Sequence, residues 1–366
     1  MRTLNTTPAK DGFRMPAEFE RHSGCWMLWP ERSDNWREGA KPAQAAFAAV
    51  AAAIAGGEPV TVGVSAAQFQ NARARLPREI RVLELSSNDA WMRDVGPTFV
   101  IDAKGRRRGI DWSFNAWGGL QGGLYFPWDR DDEVAQKVLE IEAADRYRAP
   151  FILEGGAVHV DGQGTCLTTE ECLLNPNRNP HFTRADMEEQ LRRYLGVRQI
   201  IWLGRGVYLD ETDGHIDELA CFVRPGHVLL TWTDDTQDPQ YEISRDAFQR
   251  LKSAKDARGR ALTIHKIHQP DPLFMTAAEV AGIDIRPGTH PRRAGDRLPA
   301  SYVNFYIANR CVVMPLYERR RDAAAARTLK KLFPTRRLIG VNTREVLLGG
   351  GNIHCITQQV PRPAPH

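Results

Sequence analysis

The sequence predicts an α/β protein built radially, with five copies of one unit set around a common axis. Three observations point there. Helical apolar spacing recurs along the chain, most of these helices are followed by a short apolar strand, and a polar segment then leads into a hairpin with a tight-turn dipeptide. A doubly wound parallel sheet would need helix and strand in plain alternation, and the hairpins break that pattern.

In chain order, the helices are expected at Pro42 to Ala55, closed by Gly56 and Gly57 at positive φ, and at Asp131 to Ile141. They continue at Thr183 to Leu195 with Thr183 as N-cap and Gly196 as stop, Ser244 to Ala254, and Asp322 to Phe333. Strands are expected at Arg81 to Leu85, Arg198 to Leu203, Leu262 to His268 and Arg337 to Val341, while the second helix reaches Pro150 with no clear strand. Hairpins follow at Thr98 to Trp112 turning at Lys104-Gly105, Ala157 to Thr169 turning at Asp161-Gly162, and Leu219 to Trp232 turning at Pro225-Gly226. A fourth spans Tyr302 to Met314. Ile353 to Gln359 is half of a fifth, and Gly24 to Trp29 is its expected partner, which would leave no open edge.

The bulk numbers suit one globular unit over residues 1–366, with short flexible tails at about 1–12 and 360–366. A net charge of +4 on 49 basic and 45 acidic residues excludes a strongly basic nucleic-acid binder. The runs Arg106 to Arg108 and Arg319 to Arg321 read as solvated faces. No apolar stretch is long enough to cross a membrane, and MRTLNTTPAK lacks the apolar core of a signal peptide, so a cytoplasmic address is expected. Six irregularly placed cysteines without a CxxC pair fit neither a disulfide framework nor a zinc site, and Cys166, Cys221 and Cys311 fall in apolar runs as core thiols.

Around a radial axis the polar segments converge. They are Asn88 to Asp94, Glu154 to Gly156, Asp210 to Asp217, Ser301 to Asn304, and Leu348 to Cys355. One cysteine, one histidine and several carboxylates would meet there. Cysteine with histidine makes a nucleophile and a proton shuttle, and converging carboxylates need a cation, which a planar guanidinium supplies with paired N–H donors. The glycines before Cys355, including Gly350 and Gly351, let backbone approach a flat substrate. His215 and Asp217 would share one face if their segment were extended. A cysteine after a glycine run is, by itself, more often a core thiol, and a lone Gly-His-x-Asp is often structural. No HxxxH or CxxC pair points to a metal.

With those segments in view, the whole chain resembles the agmatine deiminases of the guanidino-group-modifying (pentein) superfamily, to which peptidyl-arginine deiminases also belong. The carrying motifs are MPAEFE at 15–20, WMLWPER at 26–32, SSNDAWMRDVGPTFV at 86–100 and FNAWGG at 114–119. LEGG at 153–156, TDGHIDE at 212–218, ASYVNFYIAN at 300–309 and LGGGNIHCITQQ at 348–359 complete them. The resemblance implies a five-bladed α/β propeller, no metal or organic cofactor, and conversion of agmatine and water to N-carbamoylputrescine and ammonia in polyamine synthesis. It makes Cys355 the nucleophile, His215 the general acid and base, and Asp94 and Asp217 the guanidinium-holding carboxylates, with Glu154 contributing. It sets Trp91 along the aliphatic chain of the substrate and Glu211 at its distal ammonium.

Asp213 and Glu218 stand where the resembled pattern has asparagine, and two added carboxylates there are expected to raise the pKa of His215. LYERRR at 316–321 and Asn309-Arg310-Cys311 also depart from the pattern, which implies altered surfaces before altered chemistry. Rival readings are a deiminase of arginine or peptidyl arginine, an amidinotransferase, and a non-catalytic polyamine-binding protein. A homo-oligomer is compatible with the sequence and not specified by it. His22, His159 and His354 read as structural.

Overall fold

The structure, a computed structural model, describes residues 1–362. The Ala-rich segment becomes the helix Lys41–Ala55, with Pro42 in its first turn and Ala43, Phe47, Val50 and Ile54 buried along one stripe. The expected positive-φ stop is absent, because Gly56 has φ −66°. Gly57 is small for a packing reason instead: a Cβ there would lie 3.1 Å from the Cys311 sulfur. Helix Arg184–Leu195 carries both expected end signals, a reciprocal capping box between Thr183 and Asp186 and Gly196 at φ 68°. Asp131–Ile141 has the expected bounds, whereas Gln240–Ser253 and Arg319–Leu332 start earlier than Ser244 and Asp322. In the last of these, Glu318 caps the start by accepting from the backbone of Arg320 and Arg321.

Five of the six sheets share one pattern, an antiparallel pair whose second strand receives a parallel third. Thr98–Asp102 and Arg107–Ser113 are joined by Asp145–Ile152, the strand the sequence left unclear. His159–Val160 and Thr165–Thr169 are joined by Gln199–Leu203, and Ala220–Arg224 and His227–Trp232 by Thr263–His268. Tyr306–Ile307 and Cys311–Leu316 are joined by Arg337–Asn342. The turns contain Gly105, Gly162 and Gly226 at φ 70°, 68° and 76°, the left-handed angles a tight reversal asks for.

The fifth sheet joins the two ends of the chain. Gln358–Pro361 pairs antiparallel with His22–Leu28, with Gln358 opposite Trp26 and Gln359 opposite Cys25. This strand starts only at Gln358, because the preceding residues turn, with Thr357 N–H donating to His354 O. Val60–Val64, unforeseen from sequence, lies between His22–Leu28 and Arg81–Glu84. Gly63 makes room there for Leu28 and Leu85. The amino-terminal stretch expected as a loose tail is tied down: Arg2 pairs with Asp145, and Leu4 N–H donates to Arg146 O. Val360 and Pro361 lie in the strand, and residues 363–366 fall outside the described residues.

The fold is mixed α/β, with apolar clusters between helices and sheets, such as Leu191, Tyr194 and Leu195 against Tyr147, Phe151 and Trp202. Cys166, Cys221 and Cys311 are buried in it, and all six cysteines are free. Among the described residues, no helix is long and apolar enough to cross a membrane. The polar segments form short turns: Met92–Val95, Gly155–Ala157, Ile216–Leu219 and Arg344–Leu348.

Candidate active site

Three of those turns meet at Gly156. A Cβ on this residue would lie 2.5 Å from His215 Nδ1, 2.9 Å from Asp94 Oδ1 and 3.1 Å from Asp217 Oδ2, so only glycine allows the three side chains to close in. The expected extended segment at His215 is absent, since His215 is the N-cap of the helical turn Ile216–Leu219, which carries Asp217. Both side chains still reach the cluster. Gly156→Ala is expected to lower kcat about 100-fold by displacing them, with the protein still folded by circular dichroism.

Asp94 is held on both oxygens. Gly156 N–H donates to Oδ1 at 2.8 Å and Trp117 Nε1–H to Oδ2 at 3.0 Å. Trp117 belongs to the FNAWGG motif, which sequence reasoning quoted without giving it a role. Its φ of 62° is uncommon for a bulky residue and accompanies the turn that carries the indole to Asp94. Trp91 is fixed by donating to Asp89 Oδ2 at 3.0 Å and by packing on Trp36 at 5.2 Å between ring centroids.

Cys355 is 8 % exposed and opens onto a narrow cavity walled by Trp91, Trp117, Tyr125 and Leu124, with Asp94 and Arg292 also lining it. Gly351 sits where a Cβ would press on Trp91 at 2.7 Å and on the Cys355 sulfur at 3.1 Å. Asn304, a member of a converging segment that sequence reasoning left without a role, contacts the sulfur directly. Its Oδ1 accepts the backbone N–H of His354 at 2.9 Å, which leaves Nδ2 to donate to Sγ at 3.2 Å. Sγ lies 3.6 Å from Asp217 Oδ2. Burial pushes the thiol well above its ordinary value, and Asp217, Glu218 and Asp94 add to the rise, so the free site holds a thiol.

His215 has carboxylates on both sides, Asp94 Oδ2 at 3.8 Å from Nδ1 and Glu154 Oε2 at 3.6 Å from Nε2. Burial works against the charged ring, but Asp94, Cys172 and Glu154 outweigh it and raise the pKa well above the ordinary value. The expected contributions of Asp213 and Glu218 take another form. Asp213 is bound by Arg178 at 2.6 Å, and the buried Glu218 is itself pushed up, by burial, Asp217 and Asp210, which favours its neutral form.

Arg178 is the buried counterion of Glu154, with Nε 2.8 Å from Oε1. Burial alone would raise Glu154, yet Arg178 and His215 hold it at about 2. Its stabilising contribution is therefore complete above the ordinary value of 4.5 and lost as pH falls toward about 2. Arg178→Ala strands this carboxylate and is expected to remove about 3–5 kcal/mol of stability at pH 7, measurable by urea denaturation.

Glu211 lies against the glycine loop, where a Cβ on Gly350 at φ 106° would be 2.5 Å from its Oε2. Its charge is already met by Arg292, at 2.5 Å and 3.0 Å on the two oxygens. Among the described residues, Glu154, Cys172 and His215 form the one group with donor atoms close enough to share a metal ion. Glu154 there is bonded to Arg178 instead, and the charge on His215 balances the rest.

Comparison with known proteins supplies the lineage. The chain matches the Porphyromonas-type peptidyl-arginine deiminase family over residues 14–361. It belongs to that family. Within this deiminase family it resembles the agmatine deiminase of Pseudomonas aeruginosa, 59% identical with 99% of each chain covered. The solved agmatine deiminase of Enterococcus faecalis is 52% identical, covers 99% of each chain and superposes at a TM-score of 0.97. The C. jejuni agmatine deiminase is more distant, at 25% identity and a TM-score of 0.81, with 97% of this chain and 98% of that one covered.

Proposed function

We propose that the protein is an agmatine deiminase that hydrolyses agmatine to N-carbamoylputrescine and ammonia through a thiouronium on Cys355. The observation that carries this is the placement of the Cys355 sulfur 3.6 Å from Asp217, with Asp94, His215 and Glu154 in the same cluster. Asp217 Oδ1 and Glu154 Oε2 are buried acceptors without a partner, which suits a ligand rich in N–H donors. The repeated sheets are read as five blades of a single domain around the site, and no organic cofactor or metal is invoked. The narrow aromatic cavity suits a small molecule, and no nucleic acid or membrane contact is part of the reading.

In this scheme Asp94 and Asp217 fix the guanidinium over the sulfur, turning a bimolecular attack into a positioned one. The bound cation offsets the carboxylates that keep Cys355 protonated, so substrate binding itself favours the thiolate, with the thiol proton released to solvent. The sulfur attacks the central carbon, His215 gives its proton to the departing amine, ammonia leaves, and the alkylthiouronium remains. His215, now neutral, takes a proton from water, whose oxygen attacks the same carbon. Collapse of that adduct expels the thiolate, its hydroxyl proton passes to solvent, and the neutral carbamoyl product is left with His215 protonated for the next turnover.

A second substrate, free arginine, is favoured by one observation. Arg292 neutralises Glu211 beside the cavity, so the carboxylate of arginine would not meet a bare acid there. Ammonia release is expected from agmatine at a kcat/KM at least about 100-fold above arginine and peptidyl arginine. Equal or faster turnover of arginine would overturn the assignment. Oxygen from labelled water is expected in the carbamoyl product, whereas an amidinotransferase would deliver the carbon to an amine.

A further inference from the structure

His354 lies next to the nucleophile and donates from both ring nitrogens. Nδ1 is 2.8 Å from Asp217 Oδ2, and Nε2 is 2.8 Å and 3.0 Å from the two oxygens of Glu18. Carboxylates only accept, so each ring nitrogen carries a hydrogen and the ring is an imidazolium. All three residues are buried. Glu18 comes from the MPAEFE segment, to which the reaction so far gives no task.

The other charged or titratable groups around the ring are few. Arg93 sits 3.4 Å from Glu18 and donates from Nε to His354 O, and His159 Nε2 lies 3.6 Å from Glu18. The Cys221 thiol, raised well above its usual range by burial, Glu18 and Asp217, is neutral. Burial and Arg93 oppose the charge on His354, and Glu18 and Asp217 prevail, so its pKa is raised.

We propose that His354, held by Glu18, is a positioning residue for the deiminase reaction. It pins Asp217 through Oδ2, keeps Oδ1 free for a guanidinium N–H, and places a positive charge on the carboxylate oxygen that faces the Cys355 sulfur. The reason is electrostatic. Asp217 is the charged group that most opposes ionisation of Cys355, and a cation bonded to Oδ2, the oxygen that faces the sulfur, weakens that opposition while leaving Oδ1 available to substrate. A neutral ring carries one N–H, so it could donate to Asp217 or to Glu18 but not to both, and it would leave the field of Asp217 on the sulfur unopposed. This role rests on the deiminase reading for its effect on turnover, but the charge on His354 and the acidity of Cys355 are properties of the free protein.

The test uses Glu18→Gln and His354→Gln. Alkylation of Cys355 by iodoacetamide, read at that residue by mass spectrometry without substrate, is expected to slow about tenfold at pH 7 and to shift its pH profile upward. With agmatine, kcat/KM is expected to fall about 10–100-fold. A purely structural role would change the melting temperature and leave the alkylation profile in place, and that result overturns the proposal. Should both variants fail to fold, nitrogen-15 NMR of histidine-labelled wild-type protein decides: His354 is expected to keep protons on both ring nitrogens at pH 7, above the ordinary histidine value of 6.5. A singly protonated ring at pH 7 overturns it. Wild-type protein that fails to turn over agmatine would sink the functional reading alone, because neither free-protein measurement involves substrate.

Discussion

Cys355→Ser is expected to lower turnover of agmatine by roughly 1,000-fold or more while the protein keeps its melting temperature and binds agmatine within a few-fold of the wild-type Kd. The serine hydroxyl is a far weaker acid than a thiol, and no neutral base stands beside it, since His215 is charged between Asp94 and Glu154. The carboxylates that hold the guanidinium are untouched, so calorimetry should still find the ligand. Turnover within tenfold of wild type would refute nucleophilic attack by Cys355.

His215→Ala should do comparable damage, about 100- to 10,000-fold in kcat, and should differ in kind. Any thiouronium that forms lacks the base that activates water, so an adduct on Cys355 should persist in a denaturing quench analysed by mass spectrometry. Rapid clearance would assign the base to another group. The same variant has a stability signature. The pKa of His215 is raised in the folded protein, so its contribution is fully present below the ordinary 6.5 and is lost as pH rises through the folded value. Wild-type stability should therefore exceed that of the variant most at neutral and lower pH, and the two should converge toward alkaline pH.

Local signals were the most legible part of the sequence. The Thr183 cap, the Gly196 stop and the three hairpin turns depend on residues within a few positions of one another, and each was found where expected. The helix Gln240–Ser253 begins early, where Gln240 is tied to a distant partner by accepting from Tyr208 N–H and also donates to Ser244 Oγ one turn on. Val60–Val64 carries little periodic signal because it is five residues long and one of them is Gly63, and what makes it a strand is the pair of neighbours on either side.

In the site, residue types pointed to side chains that the fold brings together, although one local argument failed. His215 and Asp217 meet their neighbours through a helical turn, not an extended strand. Asn304 and Trp117 had no signal beyond lying in the motifs and Arg178 lies outside all of them, because their roles exist only across the fold. His354 is the clearest case: its partners Glu18 and Asp217 are 336 and 137 positions away in sequence.

The pairing of Gln358–Pro361 with His22–Leu28 has a bearing on biosynthesis. The reactive thiol precedes that strand by only a few residues, so during translation it leaves the ribosome after nearly everything that must surround it. A nascent polypeptide would carry the carboxylates of the proposed centre before its sulfur, and would gain the whole cluster once Gln358–Pro361 docks on His22–Leu28.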